Sequence, residues 1–303
     1  MTAGARIPLA MAFIIGTFLI LIWPFSQMNA YAAEQSLLER DITFATVDGI
    51  DLKLDLCRPS TGTGPFPALL FIHSGNWGLA PAGESIRAES TYMLYEAVRR
   101  GYIAVSADYR NLTFDRQSRT LKNRFPAQVY DAKCAVRWIR GNAEKYHIDS
   151  DRIGAVGWDS GGHLALMLAV TDKSDGLEGD CGDMTCSSKI QAAVSSAGPT
   201  ELVSLYSQAP AVTTAFLGGP PEKLPDVYAK ASPLTYVRKD DPPILLIHGD
   251  MDEQVPLQQA KLLDAKLTEV GVPHTLVIRT GYDHVALWDD KEVWKFLDEN
   301  LNP

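Results

Sequence analysis

The chain has 303 residues, 46% of them hydrophobic and 21% charged, with 23 glycines and 18 prolines. That composition supports a large buried core and excludes wholesale disorder, a collagen-like fibre and a coiled coil. A formal net charge of -9 removes the basic surface a general nucleic-acid binder needs, so no nucleic-acid partner is expected.

The first 33 residues differ from the rest. Arg6 is their only charged side chain, and it precedes an apolar run from Ile7 to Phe25, a polar patch and Ala30-Tyr31-Ala32-Ala33. A basic start, an apolar stretch and a small-residue end give the pattern of a secretory signal peptide. The run is long enough that an uncleaved membrane anchor is the alternative. The chain is therefore expected to be exported, periplasmic or secreted, and membrane-associated only if this segment stays attached.

From Asp41 onward short β-rich runs alternate with longer helical ones, the pattern of a mostly parallel sheet with helices on both faces. Strands are predicted near Ile42 to Val47, Ile50 to Leu56, Ala68 to Ile72, Ile103 to Ala107, Ile153 to Val156, Ala192 to Ser195, Ile244 to Ile247 and Thr275 to Ile278. Helices are predicted over Ser85 to Arg100, Ala127 to Tyr146, Gly161 to Val170, Leu257 to Val270 and Trp288 to Asn300. Within the second of these, Val129, Ala132, Ala135, Val136 and Ile139 recur at spacings that lay one apolar stripe on the sheet. Residues 34–303 read as one domain, and the Pro- and Gly-rich stretch 198–233 as a cap-like insertion over the strand ends, where such sheets bind ligands.

Export permits disulfides among Cys57, Cys134, Cys181 and Cys186. Cys181 and Cys186 flank a polar, glycine-containing segment and are expected to pair across it. Cys57 and Cys134 lie in apolar runs and read as buried small hydrophobes. Nothing in the sequence calls for a metal, nucleotide or flavin.

The chemistry-bearing segment is Arg152-Ile153-Gly154-Ala155-Val156-Gly157-Trp158-Asp159-Ser160-Gly161-Gly162-His163. It has the frame of a nucleophile elbow, a strand, a sharp glycine-flanked turn and a helix. Gly157 and Gly161 centre the elbow on Asp159, where serine is the usual residue. Centring on Ser160 puts the bulky Trp158 at the crowded position two before it. Phe71-Ile72-His73-Ser74-Gly75-Asn76-Trp77-Gly78 follows a strand and looks like a loop whose backbone N–H groups make half of an oxyanion hole. Ile247-His248-Gly249-Asp250-Met251-Asp252 and Gly281-Tyr282-Asp283-His284 follow the last two strands. The order nucleophile, acid, base along the chain is that of α/β-hydrolases.

Taken with Asp108-Tyr109-Arg110, Phe125-Pro126-Ala127 and Ala231-Ser232-Pro233-Leu234, these motifs make the chain resemble α/β-hydrolases of the esterase/lipase type. The likeness is closest to bacterial carboxylesterases that include feruloyl and acetylxylan esterases. The resemblance implies the α/β-hydrolase fold and hydrolysis of small-molecule or carbohydrate-linked esters. It implies position 159 as nucleophile, His284 as general base, Asp252 as its orienting acid, and Gly75, Asn76 and Ser160 as oxyanion donors.

Aspartate at position 159 leaves three readings open. Asp159 attacks carbon itself and the resulting intermediate is hydrolysed by water activated by His284, as in dehalogenases and epoxide hydrolases of this fold. Alternatively, Ser160 takes over as nucleophile after a local backbone shift. In the third reading the site is inactive and the fold serves binding. Elsewhere, His73 and His248 read as loop supports, His163 as structural, Tyr109 and Arg110 as fixing a strand-end loop, and Asp250 as a turn residue. Trp77, Trp158 and Trp288 read as packing groups or pocket walls.

Overall fold

The computed structural model describes residues 36–79, 91–287 and 290–301. The N-terminal segment, residues 85–90 of the first expected helix, and Trp288 lie outside the described residues. Among the described residues no helix is long and apolar enough to cross a membrane.

The described sheet has eight strands: β1 (Ser36–Val47), β2 (Ile50–Pro59), β3 (Phe66–Ile72), β4 (Ile103–Ala107), β7 (Ile148–Trp158), β8 (Ala192–Ser196), β9 (Ile244–Gly249) and β10 (His274–Arg279). Their spatial order is β1-β2-β4-β3-β7-β8-β9-β10. Strand β2 runs antiparallel to both neighbours, and every other pairing is parallel. Strands β3, β7 and β8 carry near-continuous apolar runs because both of their faces are covered. The eight expected strands are therefore present, with β1 and β7 longer than predicted. A short hairpin, β5 (Thr113–Asp115) with β6 (Thr120–Lys122), has no counterpart in the sequence reading.

Helices α1 (Thr91–Arg99) and α9 (Lys291–Leu301) pack on one face, where Leu94, Ala97, Trp294 and Leu297 meet Leu69, Phe71, Val156 and Val194. On the other face lie α2 (Ala127–Gly141), α4 (Ser160–Val170) and α8 (Gln258–Val270). The predicted stripe Val129, Ala132, Ala135, Val136 and Ile139 is buried there. The second predicted helix breaks at Asn142, which caps α2 and starts the short α3 (Ala143–Tyr146).

Within the 198–233 stretch lie α5 (Leu202–Tyr206), α6 (Pro210–Leu217) and α7 (Pro225–Ala231). Phe216 of α6 stacks on Trp77 with ring centroids 4.2 Å apart, which fixes this stretch over the loop after β3.

The cysteine pairing corrects the sequence expectation. Cys134 bonds to Cys181, and Cys57 and Cys186 are free. The physical reason is tertiary. Arg137, one turn beyond Cys134 on α2, donates to the Cys181 carbonyl and pairs with Glu178, which also binds Lys133. These bonds draw residues 178–181 onto the helix and bring Cys181 to Cys134. The bridge closes a 47-residue separation, so replacing both cysteines by serine is expected to lower unfolding stability by up to about 4 kcal/mol in the loop-entropy treatment. Chemical denaturation under non-reducing conditions reads this directly.

Candidate active site

The turn between β7 and α4 forms because two glycines leave room for it. A Cβ on Gly157 would sit 2.1 Å from the Gly161 carbonyl oxygen, and one on Gly161 would sit 2.0 Å from the Ile72 carbonyl oxygen. Only glycine fits at either position. Between them Asp159 adopts φ 52° and ψ -121°, a conformation disfavoured for any residue with a side chain. The strain is held by the Asp159 N–H bond to the Ser196 carbonyl and by the His163 N–H bond to the Asp159 carbonyl, both 2.9 Å. Asp159 is thus the apex residue. Ser160 is the first residue of α4, fully buried, with its hydroxyl 3.4 Å from that of Tyr109.

After β3 the chain bends through four successive residues with positive φ, Gly75 (φ 119°), Asn76 (φ 51°), Trp77 (φ 54°) and Gly78 (φ 92°). Such a run turns backbone N–H groups toward one point and makes an anion-binding concavity. The N–H groups of Asn76 and Ser160 act on the Asp159 carboxylate and favour its charged form. Gly75 supplies the bend. Tyr109 stacks on His73 with centroids 4.2 Å apart, and its hydroxyl lies 3.1 Å from the Ser74 carbonyl, bracing the loop from below.

Two loops after β9 and β10 supply the remaining groups. Oδ1 of Asp252 accepts the N–H groups of Gln254 and Val255 at 3.0 and 2.8 Å, so the residue does close its own turn. Its Oδ2 lies 2.7 Å from Nδ1 of His284, so the same carboxylate orients the imidazole. Asp250 accepts the Gly281 N–H at 2.7 Å and ties the two loops together. His248 donates to the Val255 carbonyl at 2.7 Å and lies 3.4 Å from Asp252. Nε2 of His284 then faces Oδ1 of Asp159 at 3.9 Å. Trp158 covers the imidazole with ring centroids 5.4 Å apart.

The electrostatics follow from this sandwich. Burial pushes the Asp252 carboxyl up, but hydrogen bonds from His248, His284 and the Val255 N–H outweigh it and hold it well below the usual carboxylate range. Burial opposes charge on His284, yet the Asp252 hydrogen bond and the Asp159 charge raise its pKa above the ordinary value. Asp159 is pushed up by burial, against the lowering effects of the Ser160 N–H, the His284 charge and the Asn76 N–H.

Asp159, Asp252, His284, Asn76 and Ser160 are therefore brought together from four separate loops, with Gly75 beside them. Ser196, at the end of β8, was missed in the sequence. Its carbonyl holds the elbow and its hydroxyl accepts the Leu287 N–H at 3.0 Å, which anchors the loop carrying His284. A serine closing a short apolar strand gives no signal beyond its place at the strand end.

His163 is a strut between layers. Trp77 donates to its Nδ1 at 3.0 Å, and its Nε2–H donates to the Ala231 carbonyl at 2.7 Å, which fixes a neutral tautomer. Burial pushes its pKa down from 6.5 to about 4. The unfolded chain therefore binds a proton that the folded one excludes. The corresponding stability is fully present above about pH 6.5 and is lost as pH falls toward 4, to the extent of about 3 kcal/mol. Denaturant unfolding at both ends of that window is expected to show the loss in the wild type and not in His163→Gln.

The chain as a whole is similar to known proteins. The family model described as BD-FAE matches residues 54–267. Esterase LipQ of Mycobacterium tuberculosis is 27% identical over 80% of this chain and 54% of its own length. This chain spans about half the length of the curated relatives it matches. A solved structure described as a truncated form of carbohydrate esterase from gut microbiota has a TM-score of 0.75 at 27% identity, covering 87% of this chain and 95% of the other. The propionate-bound esterase Est2 of Thermogutta terrifontis gives 0.66 at 25% identity, covering 88% of this chain and 92% of the other.

Proposed function

We propose, since this chain belongs to the BD-FAE family of α/β-hydrolase esterases, that it hydrolyses carboxylic esters with Asp159 attacking, His284 moving the proton and Asp252 orienting His284. The observation that carries this reading is the imidazole held between two carboxylates, 2.7 Å from Asp252 and 3.9 Å from Asp159.

A serine–histidine pair enters catalysis with one proton, on the hydroxyl. The Asp159–His284 pair also holds one, and the raised pKa of His284 keeps it on the imidazole. In the first step Asp159 attacks the acyl carbon, the alcohol leaves and takes the proton of His284, and a mixed anhydride remains on Asp159. His284, now neutral, removes a proton from water, which attacks the anhydride and releases the acid and the Asp159 carboxylate. Ser160 contributes its backbone N–H rather than its hydroxyl. Asn76 contributes the second N–H.

The likeness to a protein described as a carbohydrate esterase supports esters carried on sugars as the substrates. The Cys134–Cys181 disulfide supports maturation in an oxidising compartment, and hence export.

Hydrolysis of methyl ferulate and of acetylated xylan by the purified protein tests this reading. Activity is expected to fall as pH rises through the elevated pKa of His284, because the imidazolium is needed to protonate the departing alcohol. It is also expected to fall at low pH as Asp159 takes up a proton. An ordinary serine esterase gains activity as its histidine loses its proton, so the alkaline limb has the opposite sign. Absence of hydrolysis of either ester overturns the proposal.

A further inference from the structure

We propose that the hairpin formed by β5 and β6 is a recognition arm for uronic acid residues, so that the site takes its esters from acidic polysaccharides in preference to neutral ones. This rests on the reading of the site as a hydrolase of sugar-borne esters.

The first observation is where the hairpin stands. It follows β4, whose last residue pairs with the end of β3, so it rises from the same edge as the oxyanion loop. Both of its feet are tied to that loop. The Gln128 amide donates to the carbonyls of Trp77, Arg110 and Asn123 at 3.3, 3.0 and 2.6 Å, and the Asn123 amide donates to the Asn111 carbonyl at 2.9 Å. Gly78 packs so closely that a Cβ on it would lie 2.4 Å from Cα of Asn111. On the other side Arg124 lies against Gly218, the residue that ends α6. The base is thus wedged between the oxyanion loop and the 198–233 stretch, and three strand residues lift the tip by about 10 Å. The tip therefore meets a sugar next to the ester-bearing one.

The second observation is charge. Among the described residues, Arg116, Arg119 and Arg124 have side chains with neither an ion pair nor a hydrogen bond, whereas every other arginine has one or the other. All three belong to this hairpin and its foot. Asp115 does not neutralise them, because it is paired with Lys122 at 2.6 Å and accepts the Gln117 N–H at 2.8 Å. The chain as a whole has a net charge of -9, which repels polyanions and confines their attraction to this arm. Arg116 and Arg119 are exposed at the two ends of the tip turn, and a planar guanidinium fork matches a carboxylate.

The third observation is Phe114, which is 58% exposed. It pairs across the hairpin with Leu121, on the face away from Asp115 and Lys122. An aromatic face beside free guanidinium groups gives a sugar ring an apolar platform and its carboxylate a charged partner. A membrane surface is the poorer match, since Phe114 is the hairpin's single exposed large apolar side chain among the described residues.

Acetylated glucuronoxylan is the probe, set against the same polymer stripped of its glucuronosyl branches by a glucuronidase. The wild type is expected to show a kcat/KM about fivefold to tenfold higher on the acidic polymer at low salt, a preference that fades as ionic strength rises. The double variant Arg116→Gln with Arg119→Gln is expected to lose rate on the acidic polymer alone, while methyl ferulate, too short to reach the tip, is hydrolysed as before. Phe114→Ala is expected to slow both polymers. Depletion of the protein by insoluble deacetylated glucuronoxylan needs no turnover, and is expected of the wild type and not of the double variant. Equal rates on the two polymers with methyl ferulate hydrolysed overturn the proposal and leave the ester reading standing. Depletion that the double variant abolishes, without hydrolysis of any ester, upholds uronate recognition and overturns the ester reading. Absence of both overturns both. Equal depletion by vesicles of anionic phospholipid also overturns the proposal, because the arm then answers to any polyanion.

Discussion

Asp159→Asn is expected to reduce ester hydrolysis by about a thousandfold or more, the loss typical when a covalent nucleophile is removed. Asparagine keeps the size of the side chain at the strained apex, and the backbone bonds to Ser196 and His163 are untouched, so the elbow is retained while the attacking charge is lost. Ser160→Ala, measured alongside, is expected to stay within a few-fold of the wild type, because the Ser160 side chain is fully buried. A collapse of activity with Ser160→Ala and survival with Asp159→Asn would reverse the assignment. Asp159→Ser carries the sharper signature. The smaller side chain vacates the anion seat, and removal of the Asp159 charge lowers the pKa of His284. That variant is expected to become reactive toward a fluorophosphonate and to gain activity as pH rises through the histidine pKa, inverting the wild-type alkaline limb.

Asp252→Asn is expected to lower kcat by about a thousandfold to ten-thousandfold, the loss expected when a histidine-orienting carboxylate becomes an amide. Asparagine preserves the turn, since its side-chain oxygen still accepts from Gln254 and Val255. Its other end, however, is now a donor facing Nδ1 of His284. The imidazole must turn its lone pair toward that donor, which places the proton on Nε2 and removes the electrostatic support for the charged form. The melting temperature should change little while kcat collapses. A parallel loss of both would mean that Asp252 serves the loop and not the imidazole.

Much of the site was legible because its backbone demands are local. Gly157 and Gly161 flank a turn in which a Cβ would strike carbonyl oxygens, and that requirement is written in the residues themselves. Asp252 and His284 were readable for a related reason, since each follows the end of a predicted strand by a few residues. The disulfide was not readable. Cys181 is nearer in sequence to Cys186, and only the packing of Glu178 against Lys133 and Arg137 brings it to Cys134. Ser196 and the bonds of His163 to Trp77 and Ala231 were equally hidden, because each joins elements that lie far apart in the chain. The break at Asn142, by contrast, has a marker, since Gly141-Asn142 follows Ile139, the last residue of the apolar stripe.

The crowding at Gly157 and Gly161 has a consequence for how such a site changes over time. Because the glycines and the carbonyls they touch impose the turn, the side chain at its tip is the one variable left uncommitted by the backbone. The scaffold behaves as a socket. Its contacts persist whichever reactive group is plugged in, so the kind of bond broken can drift while the architecture stays constant. Lineages sharing this frame are then better sorted by the occupant of that single position than by overall likeness.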